Sequence, residues 1–435
     1  MPSVGLHPRR VARRNAALFV ALVTLSASRS PYVVLSGRFW AEEGRFFPAI
    51  DEASGLAGLL FVQSEAGYFT FLTNLVVLVA TWFPLEIAPL ITAWSSIAVV
   101  AAIGVVLHHH LAGHPAAVTD PYLRAAALIA PFVLVAGPAS YPETWANSIN
   151  LLHYLPILSF ILVAAYPVSE GHTGRSRLAA PLILGISSPY SAVVGLLEWK
   201  APGGIARGPQ RVAAIGATAG FLVQVGVFVE RLSRDSIIDE RSLSLTPFRV
   251  AENIAYALSS TTVGQEEVLG FIASIESWVS APVLAYVATT ALSTVVFAML
   301  LSGSDPMLRL LVAASFGGVI LLVTVAAFQG VGRGRYTVAS AGILVVATFL
   351  ALFGATGAER SVPRRTRVAG AVLIGMFLFV TVADHWTMER EAFLVCDGCP
   401  DWRSEVARAR QDPSGRTEIG IWPYPEWTME IGPLR

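Results

Sequence analysis

Gly67-Tyr68-Phe69-Thr70-Phe71-Leu72-Thr73-Asn74-Leu75-Val76-Val77-Leu78-Val79-Ala80-Thr81-Trp82-Phe83-Pro84 carries no charged residue. Coiled into a helix, the stretch would be about 27 Å long, close to the roughly 30 Å of a bilayer's hydrocarbon core. Whether it crosses or lies in the interface fixes the orientation of everything after it. The positive-inside rule supplies the test. With 67–84 in the interface, segments 1–14, 108–121, 169–177, 200–211, 302–307 and 355–366 share one side. Together with residues at their span ends they hold 15 of the 30 Arg and Lys but 5 of the 30 Asp and Glu. With 67–84 spanning, Lys200, Arg207, Arg211, Arg360, Arg364, Arg365 and Arg367 would all face outward, against the rule. The interfacial reading is therefore adopted.

The rest of the chain is read in the same frame. It is 54% hydrophobic and 14% charged, with apolar residues gathered in runs long enough to cross a bilayer. That excludes a soluble enzyme; the zero formal charge says nothing about partners, and no nucleic-acid partner is expected for a membrane bundle. Runs near 15–35, 87–107, 122–139, 149–168, 212–229, 282–301, 308–328, 336–354 and 367–385 are nine full spans. The first follows Arg9, Arg10, Arg13 and Arg14 but has no small-residue cleavage site, so it stays as an uncleaved span with a cytoplasmic N-terminus. The run 178–199 is broken at Ser187, Ser188 and Pro189 into halves too short to cross, which predicts a re-entrant hairpin. The expected fold is all-α: a polytopic transmembrane helical bundle over 1–385 in the cytoplasmic (inner) membrane, with a first extracytoplasmic loop at 36–86. Residues 386–435 form a small extracytoplasmic C-terminal module.

Polar chemistry concentrates in the outer loops 36–66, 140–148, 230–281 and 329–335 and in the tail. The first is Arg38-Phe39-Trp40-Ala41-Glu42-Glu43-Gly44-Arg45-Phe46-Phe47. A carboxylate sheltered from water at Glu42 or Glu43 suits a general base, and two adjacent acids suit a divalent cation. The plainer alternative is a helix start, where acids favour the dipole and the aromatics anchor at the interface. Tyr68, at the head of the interfacial stretch, is grouped with the substrate-contact candidates.

The second is Ser140-Tyr141-Pro142-Glu143-Thr144-Trp145-Ala146-Asn147-Ser148-Ile149-Asn150-Leu151-Leu152-His153. If helical, it aligns Asn147, Asn150 and His153 on one face, for a substrate path or for interhelical hydrogen bonds. Glu143 is a further acid beside them. The third is Gln329-Gly330-Val331-Gly332-Arg333-Gly334-Arg335-Tyr336. Its two outward arginines break the charge rule, and forked guanidinium donors among glycines suit a phosphate, either of a specific ligand or of bulk phospholipid.

In the tail, Cys396-Asp397-Gly398-Cys399 can be a disulfide, half a metal site or neither. A short helix is expected at 401–411 and a strand at 417–423, packed on the outer loops. The aromatic Trp422-Pro423-Tyr424-Pro425-Glu426-Trp427 suits stacking on sugar rings or docking on the membrane surface.

These features together resemble the GT-C superfamily of integral membrane glycosyltransferases: a cytoplasmic N-terminus, acids directly after the first span, a second acid in the next outer loop and a late outer Arg-Tyr motif. The resemblance extends to uncharacterised bacterial polytopic membrane proteins related to that superfamily. It implies inverting transfer of a sugar from a polyprenyl-phosphate carrier to an extracytoplasmic glycan or lipid acceptor. Glu42 or Glu43 would be the base, and Arg333, Arg335 and Tyr336 would bind the carrier phosphate. Glu143, Asn147, Asn150, His153 and Tyr68 would hold substrate. The family's acid is often Asp, so two glutamates leave the choice between them open, and a divalent metal ion is required by some members only. A transporter or flippase of lipid-linked sugars is the alternative.

Overall fold

The structure, a computed structural model, describes residues 8–53, 55–62, 68–113, 121–136, 145–165, 174–200, 209–234, 246–263, 281–326, 334–353, 363–387, 401–411, 417–422 and 427–431. In chain order its helices are α1 (Pro8–Ser28), α2 (Pro31–Ser36), α3 (Glu43–Ala53), α4 (Phe71–Thr81), α5 (Ala88–Ala112), α6 (Pro121–Ala136), α7 (Leu151–Ala165) and α8 (Gly174–Ser187). They continue as α9 (Pro189–Gly195), α10 (Pro209–Arg234), α11 (Thr246–Val263), α12 (Ala281–Ser302), α13 (Pro306–Ala326), α14 (Thr337–Phe353), α15 (Arg364–Thr387) and α16 (Trp402–Arg410). Strands β1 (Thr417–Ile421) and β2 (Trp427–Ile431) follow as an antiparallel pair.

In their described residues eight of the nine apolar runs each follow one helix, and the first, 15–35, is shared between α1 and α2, which part at Arg29 and Ser30. Among the described residues, Ala88–Ala112, Arg211–Glu230, Pro306–Thr324 and Arg364–Val382 are long and apolar enough to cross a membrane. They carry exposed apolar side chains, such as Leu222 and Val229 on α10 and Val368 and Phe379 on α15, a surface suited to lipid rather than water. The bundle interior is one apolar cluster containing Leu22, Ile103, Phe160, Val319, Ile343 and Leu373.

α4 is 11 residues, about 16 Å, too short to cross a bilayer. It buries Val76, Val77 and Leu78 against the first loop and α5. The chain also reverses where expected. Ser188 is extended and caps α9 by accepting from the Ser191 amide, so α8 ends and α9 begins in a new direction. Leu178 and Gly185 of α8 lie beside Gly216 and Gly220 of α10, after which Gly195 lies beside Ala217 and the Trp199 indole donates to Thr218 Oγ1. The second leg therefore returns toward the level at which the first began. Gly185 and Gly220 let the two backbones touch: a Cβ on Gly220 would sit 2.8 Å from Gly185 Cα.

One expectation is corrected. The sequence reads as loop over 230–281, but α11 lies within it and packs on α12 to α15. Its polar residues, which hid the helix in the sequence, point inward: the Asn253 amide donates to Thr324 Oγ1, and Thr262 and Ser293 share a hydrogen bond. The all-α reading holds for the bundle, and the strand expected at 417–423 pairs with β2 at 427–431 in the C-terminal segment.

The C-terminal segment does not stand apart. Trp402, Val406, Ile419, Ile421 and Met429 form one cluster with Phe39, Phe46, Phe47 and Ile50 of the first loop. At its centre Arg38 donates to Glu405 at 2.7 Å and to the Gly420 carbonyl at 2.6 Å, with its guanidinium over the Trp402 ring. Arg410 pairs with Glu86 nearer the surface.

Candidate functional site

The site begins where the C-terminal strand grips the first loop. Trp422 N–H donates to the Phe39 carbonyl at 2.9 Å, and the Ala41 amide donates to the Trp422 carbonyl at 2.5 Å. Between these bonds the backbone enters the left-handed region at Ala41, φ 34°, which costs a non-glycine residue about 1–3 kcal/mol and persists because both flanks are held. Ala146, φ 54°, makes the same turn just before Asn147. Both turns lead directly into residues that the sequence marked.

Glu42 ends the turn ahead of α3 and Glu43 opens the helix, and the two side chains leave in different directions. Glu43 turns inward and is 1% exposed. Its Oε1 accepts from the Ser148 amide and hydroxyl, both at 2.7 Å, and its Oε2 accepts from the Trp40 amide at 3.1 Å and the Thr92 hydroxyl at 3.4 Å. Burial pushes its pKa up, and these hydrogen bonds pull against that rise. Such a carboxyl ties together α3, α5 and the turn before α7. It does not present a free oxygen to a substrate, so the base role considered for Glu43 does not fit its geometry.

Glu42 points the other way. Its Oε1 receives the Arg335 guanidinium at 3.1 Å, joining residues 293 apart in the chain. Its Oε2 has no partner among the described residues. Arg335 also lies 5.3 Å from the centre of the Tyr336 ring. Tyr336 meets His153 edge to face at 5.5 Å, and His153 lies 5.4 Å from the Tyr190 ring at the start of α9. His153 Nδ1 has no partner among the described residues. Tyr68 lies within electrostatic reach of Glu42, Arg335 and Tyr336; burial lifts its pKa well above the ordinary phenol value, with Arg335 opposing. Glu42, Tyr68, His153, Arg335 and Tyr336 are thus brought together, with Tyr190 added from the hairpin.

Asn147 and Asn150 have a different place from the helical face proposed for them. α7 starts at Leu151, and Asn147 Oδ1 accepts from the Asn150 amide at 2.9 Å in the turn ahead of it. An Asn side chain bonded two or three residues onward competes with the helix and ends up before it. Glu143, Arg333, Cys396 and Cys399 lie outside the described residues. Trp422 is buried against Trp40 and Tyr32, and the Trp427 ring packs under Arg45, so both serve the fold rather than a sugar-stacking surface.

Among the described residues no group of three or more His, Cys, Asp or Glu side chains converges. Glu42 and Glu43 diverge, and Glu43 is committed to four donors, so the adjacent acids do not form the cation pair considered for them.

Gln224 is a contributor that the sequence reading does not single out. Buried within α10, it accepts from the Phe69 amide at 3.0 Å and donates at 2.9 Å to the carbonyls of Phe69 and Gly185. Ser187 Oγ accepts from the Leu72 amide, and Ser188 Oγ donates to the Leu152 carbonyl. The hairpin tip and Gln224 therefore hold the backbones beside Tyr68 and His153. A lone polar residue in an otherwise apolar span was the available signal.

Comparison of the chain with protein-family models, with characterised proteins and with solved structures gave no match.

Proposed function

We propose that the protein is an inverting glycosyltransferase of GT-C type. It has nine spans in the cytoplasmic membrane, a cytoplasmic N-terminus, and the first loop and C-terminal segment on the outer face. It moves a sugar from a polyprenyl-phosphate carrier to a glycan or lipid acceptor. The observation that carries this reading is the contact between Glu42, directly after the first span, and Arg335, in the last outer loop. It sets one basic oxygen and one anion-binding guanidinium within a single substrate's length.

In the transfer, the acceptor hydroxyl attacks the anomeric carbon while its proton passes to the Glu42 carboxylate. The bond from that carbon to the carrier oxygen breaks, and its electron pair stays on the phosphate, whose charge Arg335 stabilises. One displacement inverts the anomeric centre. Tyr68 and His153 place polar edges beside the reacting groups, and Tyr336 stacks behind Arg335.

The test is transfer of labelled sugar from a panel of polyprenyl-phosphate donors to membrane glycolipid or glycan acceptors by the purified protein. Glu42→Gln is expected to lose about 10²- to 10⁴-fold in rate and Arg335→Ala about 10²- to 10³-fold. Glu43→Gln should keep its turnover per folded molecule. No transfer by the wild type, together with movement of lipid-linked sugar across vesicles, would replace the transferase with a transporter.

A further inference from the structure

We infer that the Glu42–Arg335 contact is a resting pair which the donor's phosphate replaces, so that donor binding fills the arginine and unmasks the base in one step. The inference rests on the transferase reading and adds an order to it: donor first, then proton removal from the acceptor.

Three carboxylates close to the first loop allow the comparison. Glu405 is 3% exposed and bonded to Arg38 at 2.7 Å, and that arginine is further fixed by the Gly420 carbonyl and the Trp402 ring. Glu43 is 1% exposed and accepts from four donors. Both are built to stay. Glu42 differs in length, exposure and saturation. Its contact is longer, 3.1 Å; its side chain and that of Arg335 are 17% and 22% exposed; and its Oε2 is screened from water and receives no hydrogen bond from the described residues.

A carboxylate oxygen that has lost water and gained no donor weakens the arrangement that holds it. A phosphate offers Arg335 more charge and a forked set of oxygens that matches the guanidinium. Exchange therefore favours the phosphate. Once Arg335 has turned to it, Glu42 is free of its cation and can receive the acceptor's proton. Before that moment the base is neutralised by the group that must later bind the leaving phosphate.

The exchange makes a prediction opposite to that of a structural ion pair: removing the Glu42 charge should improve phosphate binding. The test is equilibrium binding of a labelled fifteen-carbon prenyl monophosphate to the full chain in phosphatidylcholine nanodiscs. A part-exposed pair contributes up to about 1 kcal/mol, so Glu42→Gln and Glu42→Ala should each bind about fivefold tighter than wild type. Arg335→Ala should bind at least tenfold more weakly, and the double variant should match Arg335→Ala. Each variant's melting is recorded, and either Glu42 variant suffices if the other fails to fold.

Arg335-dependent binding that stays the same or weakens in both Glu42 variants would overturn the exchange and leave the transferase reading standing. No prenyl phosphate binding by any form would overturn both. A parallel titration with phosphatidylglycerol separates the phosphate sources. Equal affinity and an equal response to Glu42→Gln would keep the exchange but assign it to a bulk lipid headgroup, against the carrier.

Discussion

Replacing Glu405 by Gln removes the charge that neutralises Arg38 at the junction between the first loop and the C-terminal segment. The Arg38 and Glu405 side chains are 5% and 3% exposed, so the guanidinium would remain buried with the Gly420 carbonyl but without its counter-charge. Breaking a buried pair from one side costs about 3–5 kcal/mol. The cost should fall on local opening of the C-terminal segment, because Trp402, Ile419 and Ile421 beside this pair belong to the cluster shared with the first loop and not to the bundle's own. A loss of about 3 kcal/mol in opening free energy corresponds to about 150-fold faster amide exchange. Hydrogen exchange followed by mass spectrometry should show this in β1 and at Trp422, with α8 and α10 unchanged. Replacing both partners, as Arg38→Met with Glu405→Leu, should restore most of the protection, since an apolar pair of similar volume needs no charge balance. Exchange in β1 unchanged within about threefold for Glu405→Gln would refute the view that this ion pair holds the segment in place.

Glu43→Ala orphans the Ser148 and Trp40 amides and should cost about 2–5 kcal/mol, read as a lowered melting temperature in detergent. Because burial raises the Glu43 pKa, the folded state holds this proton more tightly than the unfolded state. Its contribution to stability is full below the ordinary carboxylate range and is lost as pH rises through the folded value. A pH series of melting curves should therefore be flatter for Glu43→Gln than for wild type. Gly220→Ala places a methyl 2.8 Å from Gly185 Cα and should cost about 1–3 kcal/mol in thermal stability by parting α8 from α10. Gln224→Leu leaves the Phe69 amide and the Phe69 and Gly185 carbonyls without their partner, and should weaken Arg335-dependent prenyl phosphate binding along with stability.

Much of the helical layout was legible because apolar length is a strong signal: the nine runs fall on helices, and the break at Ser187–Pro189 marks the chain reversal. The status of 67–84 was not visible in its own residues, where span length and the whole-chain charge pattern point in opposite directions. Charge distribution across the whole chain pointed to the interface, and α4 is too short to cross. α11 escaped notice because Asn253, Ser259 and Thr262 interrupt its apolar pattern while bonding inward, so polarity there reports helix contacts rather than solvent. The pairing of Glu42 with Arg335 could be suspected from residue type alone, but choosing Glu42 over Glu43 depends on which way α3 faces. That direction is set by β1, Trp422 and the turn at Ala41, none of which the local sequence encodes. Gln224 shows the same gap: its partners are backbone atoms of Phe69 and Gly185, which carry no side-chain signature.

The grip of Trp422 on residues 39–41 also has a bearing on biosynthesis. Arg38 and the Gly420 carbonyl it binds are 382 residues apart, and at about 5–20 residues per second the ribosome needs roughly 20–75 s to pass from one to the other. For that interval the acidic loop exists without the strand that bonds Phe39 and Ala41, and its left-handed turn rests on local bonds such as those between Trp40 and Glu43. The nascent chain therefore reaches the full arrangement around Glu42 only after its late segment has joined the first loop. Joining of the C-terminal segment to the first loop is thus the step that completes a site whose acid was made at the start.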